Sequence, residues 1–332
     1  MELRLKINGD IMVDVEKNYV KNFYQGIYVT ETILGNPNGD FVDNSPRNFD
    51  GNVFTTDKCI KYNVRKYIHD NIEDFENRKN LVFFFPRLHE TEDEADSKFK
   101  TRDDVFDLLF KDYEKFEEKF AALKENSPDV RMFGGTFSFK NNESKQIYGP
   151  IQLTYGVDIN DAQIKRLQIG APFATESGKQ KTNGSEAVVD DAIISYDITV
   201  NPNNHPNLLL ESDLELFKKS LWYGTNLRKS TSKRTDSKLL ILIKFVNEGI
   251  VLNIGELKEL IEVSNIKQHK LGKEEIKLNC GKLFKKLSKF NQFIDSIEFY
   301  YDKDELTLEG ITDCDDNLKS KFNFIEPSEL LK

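Results

Sequence analysis

Residues 57–73 carry the period of an α-helix, and the pattern is one-sided. At about 100° per residue, Ile60, Val64, Tyr67 and Asn71 share one face, of which only Asn71 is not apolar. Lys58, Lys61, Arg65 and His69 fall together on the opposite side. An isolated helix of this length is marginal in water, so its apolar face must lie on other elements. The flanking sequence supplies them. Residues 23–33 are rich in aromatic and β-branched side chains and predict a strand, and Leu81-Val82-Phe83-Phe84-Phe85 predicts a second, buried one ended by Pro86.

The strand–helix–strand order returns further on. Thr101 and Asp104 have capping-box spacing and open a helix over 101–125, with the stripe Val105, Leu109, Phe116, Phe120 and Leu123. Strands are predicted over 150–157, 192–200 and 238–246. A helix runs over 212–227, opened by Ser212 and Glu215, and a lysine-rich helix over 281–290. Residues 175–187 are polar and aperiodic and predict a loop; weak alternation at Leu3, Leu5 and Ile7 suggests an edge strand within residues 1–20. With no internal repeat, the pattern gives an α+β fold, an RRM-like (ferredoxin-like) sheet carrying large insertions.

Charge then narrows the function. The net charge of −9 argues against a protein that coats nucleic acid indiscriminately, yet acid concentrates in 90–126 while Lys and Arg gather in short clusters. Residues 57–69 hold no acid beyond Asp57, so the Lys58–Lys61–Arg65 face is a candidate phosphate-binding surface; a solvated amphipathic helix is the alternative. Arg228, Lys229, Ser230, Thr231, Ser232, Lys233 and Arg234 form the densest basic run, with hydroxyls able to bond phosphate or a 2′-OH; a solvated connection is its alternative. The lysines at 282, 285, 286 and 289 read as the solvated side of a helix. Gly134-Gly135 lacks a following Lys-Thr and is no Walker loop, but would let RNA lie against the main chain. Residues 36–43 include Asp40 and Asp43, which could hold Mg²⁺, although Asn-Gly and Asx turns explain them without metal. Three distant cysteines and four scattered histidines form neither a zinc site nor a nucleophile motif. Free thiols, no membrane-length apolar run and no signal-peptide core predict a cytoplasmic protein without cofactors.

Ordered motifs sharpen this reading. They are Asn36-Pro37-Asn38-Gly39-Asp40, Pro46-Arg47, Thr56-Asp57 with the basic helix, and Asp129-Val130-Arg131-Met132-Phe133-Gly134-Gly135-Thr136. Gly149-Pro150-Ile151-Gln152 and Leu221-Trp222-Tyr223-Gly224-Thr225 with its following basic stretch complete the set. In this order they resemble the repeated backbone subunit of type I CRISPR surveillance complexes (Cascade), a branch of the RAMP superfamily, with subtype I-B the nearest.

The resemblance implies a single hand-shaped unit over residues 1–332. An RRM-like palm would comprise 21–89, 129–170 and 192–332, with a helical finger insertion at 90–128 and a thumb hairpin at 171–191. It implies a non-catalytic, filament-forming subunit that binds the guide (crRNA). Its partners would be further copies, other Cascade subunits and, through the guide, target DNA. Lys58, Lys61 and Arg65 would clamp phosphates, assisted by Arg47, Arg131, Gly134, Gly135, Gln152 and the 228–234 run. Lys179 and Lys181 would lie in or near the thumb, whose acidic Glu186, Asp190 and Asp191 depart from the family's usual basic or aromatic residues. Type III relatives cleave RNA with a loop aspartate, which leaves metal-dependent cleavage by Asp40 or Asp43 as the competing function. Residues 1–20 precede the family's usual start.

Overall fold

The structure is a computed structural model that describes residues 17–89, 99–140, 144–170, 183–246, 248, 252–265, 275–312 and 314–332. The strand expected over 23–33 is β1 (Tyr24–Gly35), and it lies within the main sheet. On one side it pairs antiparallel with β9 (Asn183–Val200), on the other with β10 (Thr235–Phe245). Its two-residue alternation feeds two cores: Tyr24 and Tyr28 enter one, Phe23, Ile27 and Val29 the other.

The first core is closed by α1 (Asp57–Asn71) and α5 (Glu211–Leu227), through Ile60, Val64 and Ile68 of one helix and Leu214, Phe217, Leu221 and Trp222 of the other. The second lies under α6 (Gly281–Ser288) and a small sheet of β11 (Glu262–Val263), β12 (Ile276–Asn279) and β14 (Leu306–Glu309). The main sheet extends past β10 to β13 (Ile294–Tyr300) and β15 (Phe322–Ile325). Past β9 it continues to β7 (Gly156–Asp158), β3 (Asn52–Thr55) and β2 (Asn48–Phe49), while β6 (Ile151–Leu153) and β8 (Ile164–Gly170) also pair with β9.

A third core is built from phenylalanines: Phe83, Phe106, Phe110, Phe120, Phe137 and Phe139. Its elements are α2 (Arg102–Leu109), α3 (Phe116–Asn126), α4 (Pro128–Phe133) and the hairpin of β4 (Gly134–Phe137) with β5 (Lys145–Tyr148).

Several expected elements take a different form. The helix over 101–125 is two helices, because straight continuation would hold Phe106 and Phe116 about 15 Å apart. Folding back brings their ring centroids to 5.9 Å and both rings onto Phe139. The Thr101–Asp104 capping box is present. Residues 81–83 are buried and 84–85 half-buried, but they form no strand, since no neighbouring strand takes their amides: Leu81 donates to the Asn126 carbonyl, Val82 to Glu73, and Phe83 and Phe84 to Asp129. Helix α5 starts at Glu211, where Asp213, not the Ser212–Glu215 pair, accepts from the Leu210 amide at 3.0 Å. The strand over 150–157 is the two pieces β6 and β7, and β9 begins at Asn183, inside the expected loop. Residues 171–182, and residues 1–16 with their suggested edge strand, lie outside the described residues.

Helix α4 is anchored by charge. The Arg131 guanidinium meets both carboxylate oxygens of Asp213 at 2.8 Å and also donates to the Lys124 and Glu125 carbonyls. Both side chains are buried, so removing one partner strands the other charge. Asp213→Ala should lower unfolding free energy by about 3–5 kcal/mol in urea titrations, and Arg131→Met with Asp213→Leu should recover most of it.

Near the β7–β9 junction, burial pushes the Asp158 carboxyl up to about 6, against the pull of the Ala162, Asn160 and Ile193 amides. The folded state then holds this proton more tightly than the unfolded chain does. Stability from this group is therefore present below about pH 4 and is lost as pH rises through about 6, by up to about 3 kcal/mol. Urea midpoints for Asp158→Asn should vary less across that window than those of the wild type.

Candidate nucleic-acid interface

The N-terminal end of α1, the loop after β1 and the loop before β10 meet at one edge of the first core. Asn36 donates its amide to the Ser232 carbonyl at 2.6 Å, and Lys233 Nζ donates to the Asn36 carbonyl at 3.0 Å. Asn38 Oδ1 accepts from both the amide and the hydroxyl of Thr56 at 3.0 Å, holding the 36–47 loop against the start of α1. Arg228, at the end of α5, donates to Asn63 Oδ1 at 3.0 Å and to Cys59 Sγ at 3.4 Å, with its guanidinium 4.8 Å from the Tyr62 ring centroid.

Five cations on these segments have no carboxylate partner among the described residues: Arg47, Lys58, Arg228, Lys233 and Arg234. Lys58 and Arg234 are exposed and the other three half-buried. Burial, then the neighbouring Arg228 charge, pushes Lys233 below the ordinary lysine range. Adjacent cations held partly out of water without a counter-charge are costly, and an anion laid across them offsets that cost.

The remaining sequence-derived candidates divide by position. Lys61 pairs with Asp57 at 3.0 Å, and Arg65 with the buried Asp129 at 3.2 Å while lying against Phe84 and Phe133. The basic face of α1 is thus matched by acid at Lys61 and Arg65, the latter from α4, and open at Lys58. Lys229 pairs with Asp236 at 2.6 Å, and the Ser230 hydroxyl accepts from the Lys233 amide in the turn.

Arg131 and Gln152 are not in the cluster. Arg131 binds at the opposite end of α5 from Arg228, and Gln152, on β6, donates to the Gly149 carbonyl. Gln152 is in register with Thr199, whereas Gly35 beside the cluster is in register with Val189, about 33 Å along β9. Gly134 and Gly135 serve packing. At Gly134, with φ +63°, a Cβ would stand 2.1 Å from the Ile147 carbonyl oxygen; at Gly135 it would stand 2.4 Å from the Phe84 ring. Lys179 and Lys181 lie outside the described residues.

Asp40 and Asp43 cap their own loop: Asp40 accepts from the Val42 and Asp43 amides, Asp43 from that of Ser45. Among the described residues no three His, Cys, Asp or Glu side chains form a metal-binding group, and no helix is long and apolar enough to cross a membrane.

Tyr62, Asn63 and Cys59, which orient Arg228, escaped the sequence reading. The available signal was Asn63, a polar residue on the face otherwise filled by Ile60, Val64 and Tyr67.

Fold and site together describe a mixed α/β protein with a cation cluster beside its central strands. The chain belongs to the CRISPR-associated protein Cas7 family, whose match covers residues 22–281. It is similar in fold to a chain of a solved "CRISPR RNA-guided surveillance complex, pre-nicking", with a TM-score of 0.53 at 13% identity, covering 93% of this chain and 97% of that one. A chain of a second "CRISPR RNA-guided surveillance complex" aligns with a TM-score of 0.48 at 10% identity, covering 93% and 96%. No curated protein sequence matches the chain.

The pairing pattern separates structural from available cations. Arg65→Ala should cost about 3 kcal/mol by leaving Asp129 without its counter-charge, whereas Lys58→Ala should stay within about 0.5 kcal/mol. Urea unfolding of the two variants checks this.

Proposed function

We propose that this chain is a guide-RNA-binding backbone subunit of a type I CRISPR Cascade, near subtype I-B in the RAMP superfamily. The observation that carries the proposal is the cluster of Arg47, Lys58, Arg228, Lys233 and Arg234, free of carboxylate partners among the described residues, in a chain of the Cas7 family. Copies line up along the crRNA spacer as a helical filament in the cytoplasm, beside other Cascade subunits, and leave guide bases free to pair with target DNA. Phosphate contacts position the strand without reading its sequence, as a subunit serving any spacer requires.

The central placement of β1 between β9 and β10, with α1 and α5 on one face, supports an RRM-like palm. The thumb would extend from the β8–β9 pairing, whose Ala187, Val188 and Val189 are buried. The role needs no cofactor and is non-catalytic: the use of Asp40 and Asp43 as acceptors for their own loop amides favours it over metal-dependent cleavage.

Binding of unstructured oligoribonucleotides tests the proposal. Lys58→Ala with Arg234→Ala should weaken binding evenly across sequences. The slope of log affinity against log salt should fall by about 1.4, the single-strand expectation for two lost phosphate contacts. Full affinity with an unchanged slope would remove the cluster from the RNA path.

A further inference from the structure

The 36–47 loop presents an apolar ring to solvent while being tightly built itself. Phe41 is 100% and Val42 93% exposed. Beneath them Asp40 Oδ1 accepts from the Val42 amide at 2.7 Å, the Asp40 amide donates to the Ser45 carbonyl at 3.0 Å, and Asn36 Nδ2 donates to the Asn44 carbonyl at 2.5 Å. The Arg47 amide closes the loop on the Asn38 carbonyl at 3.0 Å. Exposing an aromatic ring is ordinary on a loose loop; a loop tied at this many points holds it in place for a contact.

The surroundings indicate what kind of contact. The Arg47 guanidinium stands 5.2 Å from the Phe41 ring centroid. The loop root is bonded to Thr56, two residues before Lys58, and to Ser232 and Lys233 of the basic loop. An aromatic ring with an arginine against it, on a loop whose root is bonded to the basic 228–234 loop, suits a flat π-system attached to a phosphate. Its size agrees: one ring offers at most about 250 Å², well below the roughly 800 Å² per partner of a standard protein interface, but enough for one nucleobase.

We infer that Phe41 is a base-stacking residue: it receives one unpaired nucleobase of the strand whose phosphates lie on Arg47, Lys58 and the 228–234 loop. The inference rests on the RNA-holding reading above and adds a contact to the base, of any identity, through its π-face. Such stacking tolerates sequence because every base has a π-face, and it strengthens with the size of the ring system.

The experiment compares wild type, Phe41→Ala and Phe41→Tyr as full chains, by fluorescence anisotropy. The ligands are oligo(A), oligo(U) and an abasic ribose-phosphate oligomer of equal length. Phe41→Ala should bind oligo(A) roughly tenfold more weakly, oligo(U) less so, and the abasic strand as well as wild type does. Its salt slope should be unchanged, and Phe41→Tyr should resemble wild type. Equal loss on all three ligands, or loss on none, overturns the stacking role while leaving the RNA-holding reading in place. The inference also falls if Phe41→Ala sediments as a smaller species without RNA and keeps wild-type affinity for oligo(A), since the ring then meets a second protein copy. A wild type that binds the abasic strand with no salt dependence overturns the RNA-holding reading itself.

Discussion

The buried carboxylate of Asp129 is the interaction around which the rest of the molecule is arranged. It is fully shielded from solvent and accepts from the Phe83 amide, the Phe84 amide and Arg65 Nε. One side chain thus joins three parts of the fold: α4, the irregular 81–85 segment and α1. Without it those two amides would be buried donors lacking partners, and each such group costs about 1–3 kcal/mol. The neighbouring Arg131–Asp213 pair extends the anchor to α5. The phenylalanine core is held to the α1–α5 layer by charge as well as by apolar packing.

These anchors decide which cations are left without a carboxylate partner. Asp57 and Asp129 neutralise the middle of the α1 face, and Asp213 neutralises Arg131. Near the start of α1, Asp57 and Asp236 are taken by Lys61 and Lys229, and Arg47, Lys58, Arg228, Lys233 and Arg234 have no carboxylate partner among the described residues. A chain with a net charge of −9 can therefore keep several cations unpaired with acid at one edge of its first core.

How much of this was legible in the sequence depended on the range of the interaction. The aromatic and β-branched content of β1, the one-sided period of α1 and the Thr101–Asp104 cap are local patterns, and the structure contains each of these elements. The basic run at 228–234 was visible as composition, and it lies where the cations gather. What sequence could not show was pairing between distant positions. Nothing near Arg131 in the chain announces Asp213, and nothing near Arg65 announces Asp129, so both read as free cations. The same limit misread 81–85 as a strand: β propensity is present, but three of its amides go to the carboxylates of Glu73 and Asp129 rather than to a neighbouring strand. Gly134-Gly135 looked like a surface for RNA because glycine permits any close approach, and here the approach is to Ile147 and Phe84.

The position of Arg228 depends in turn on how closely α5 sits on α1. At Gly224 a Cβ would stand 2.4 Å from the Asn63 carbonyl oxygen, so only glycine lets the two helices meet there. That approach brings Thr225 to Asn63 Nδ2 at 3.3 Å, which turns the amide oxygen toward Arg228. Tyr62 supports the guanidinium from its own side and is itself stacked on Phe85, which stacks on His69. The arginine is therefore oriented by a buried glycine contact and an aromatic column before any ligand arrives. A preoriented guanidinium has less conformational freedom left to lose than a free lysine, so on the RNA-binding role proposed above an arginine suits this point of the cluster.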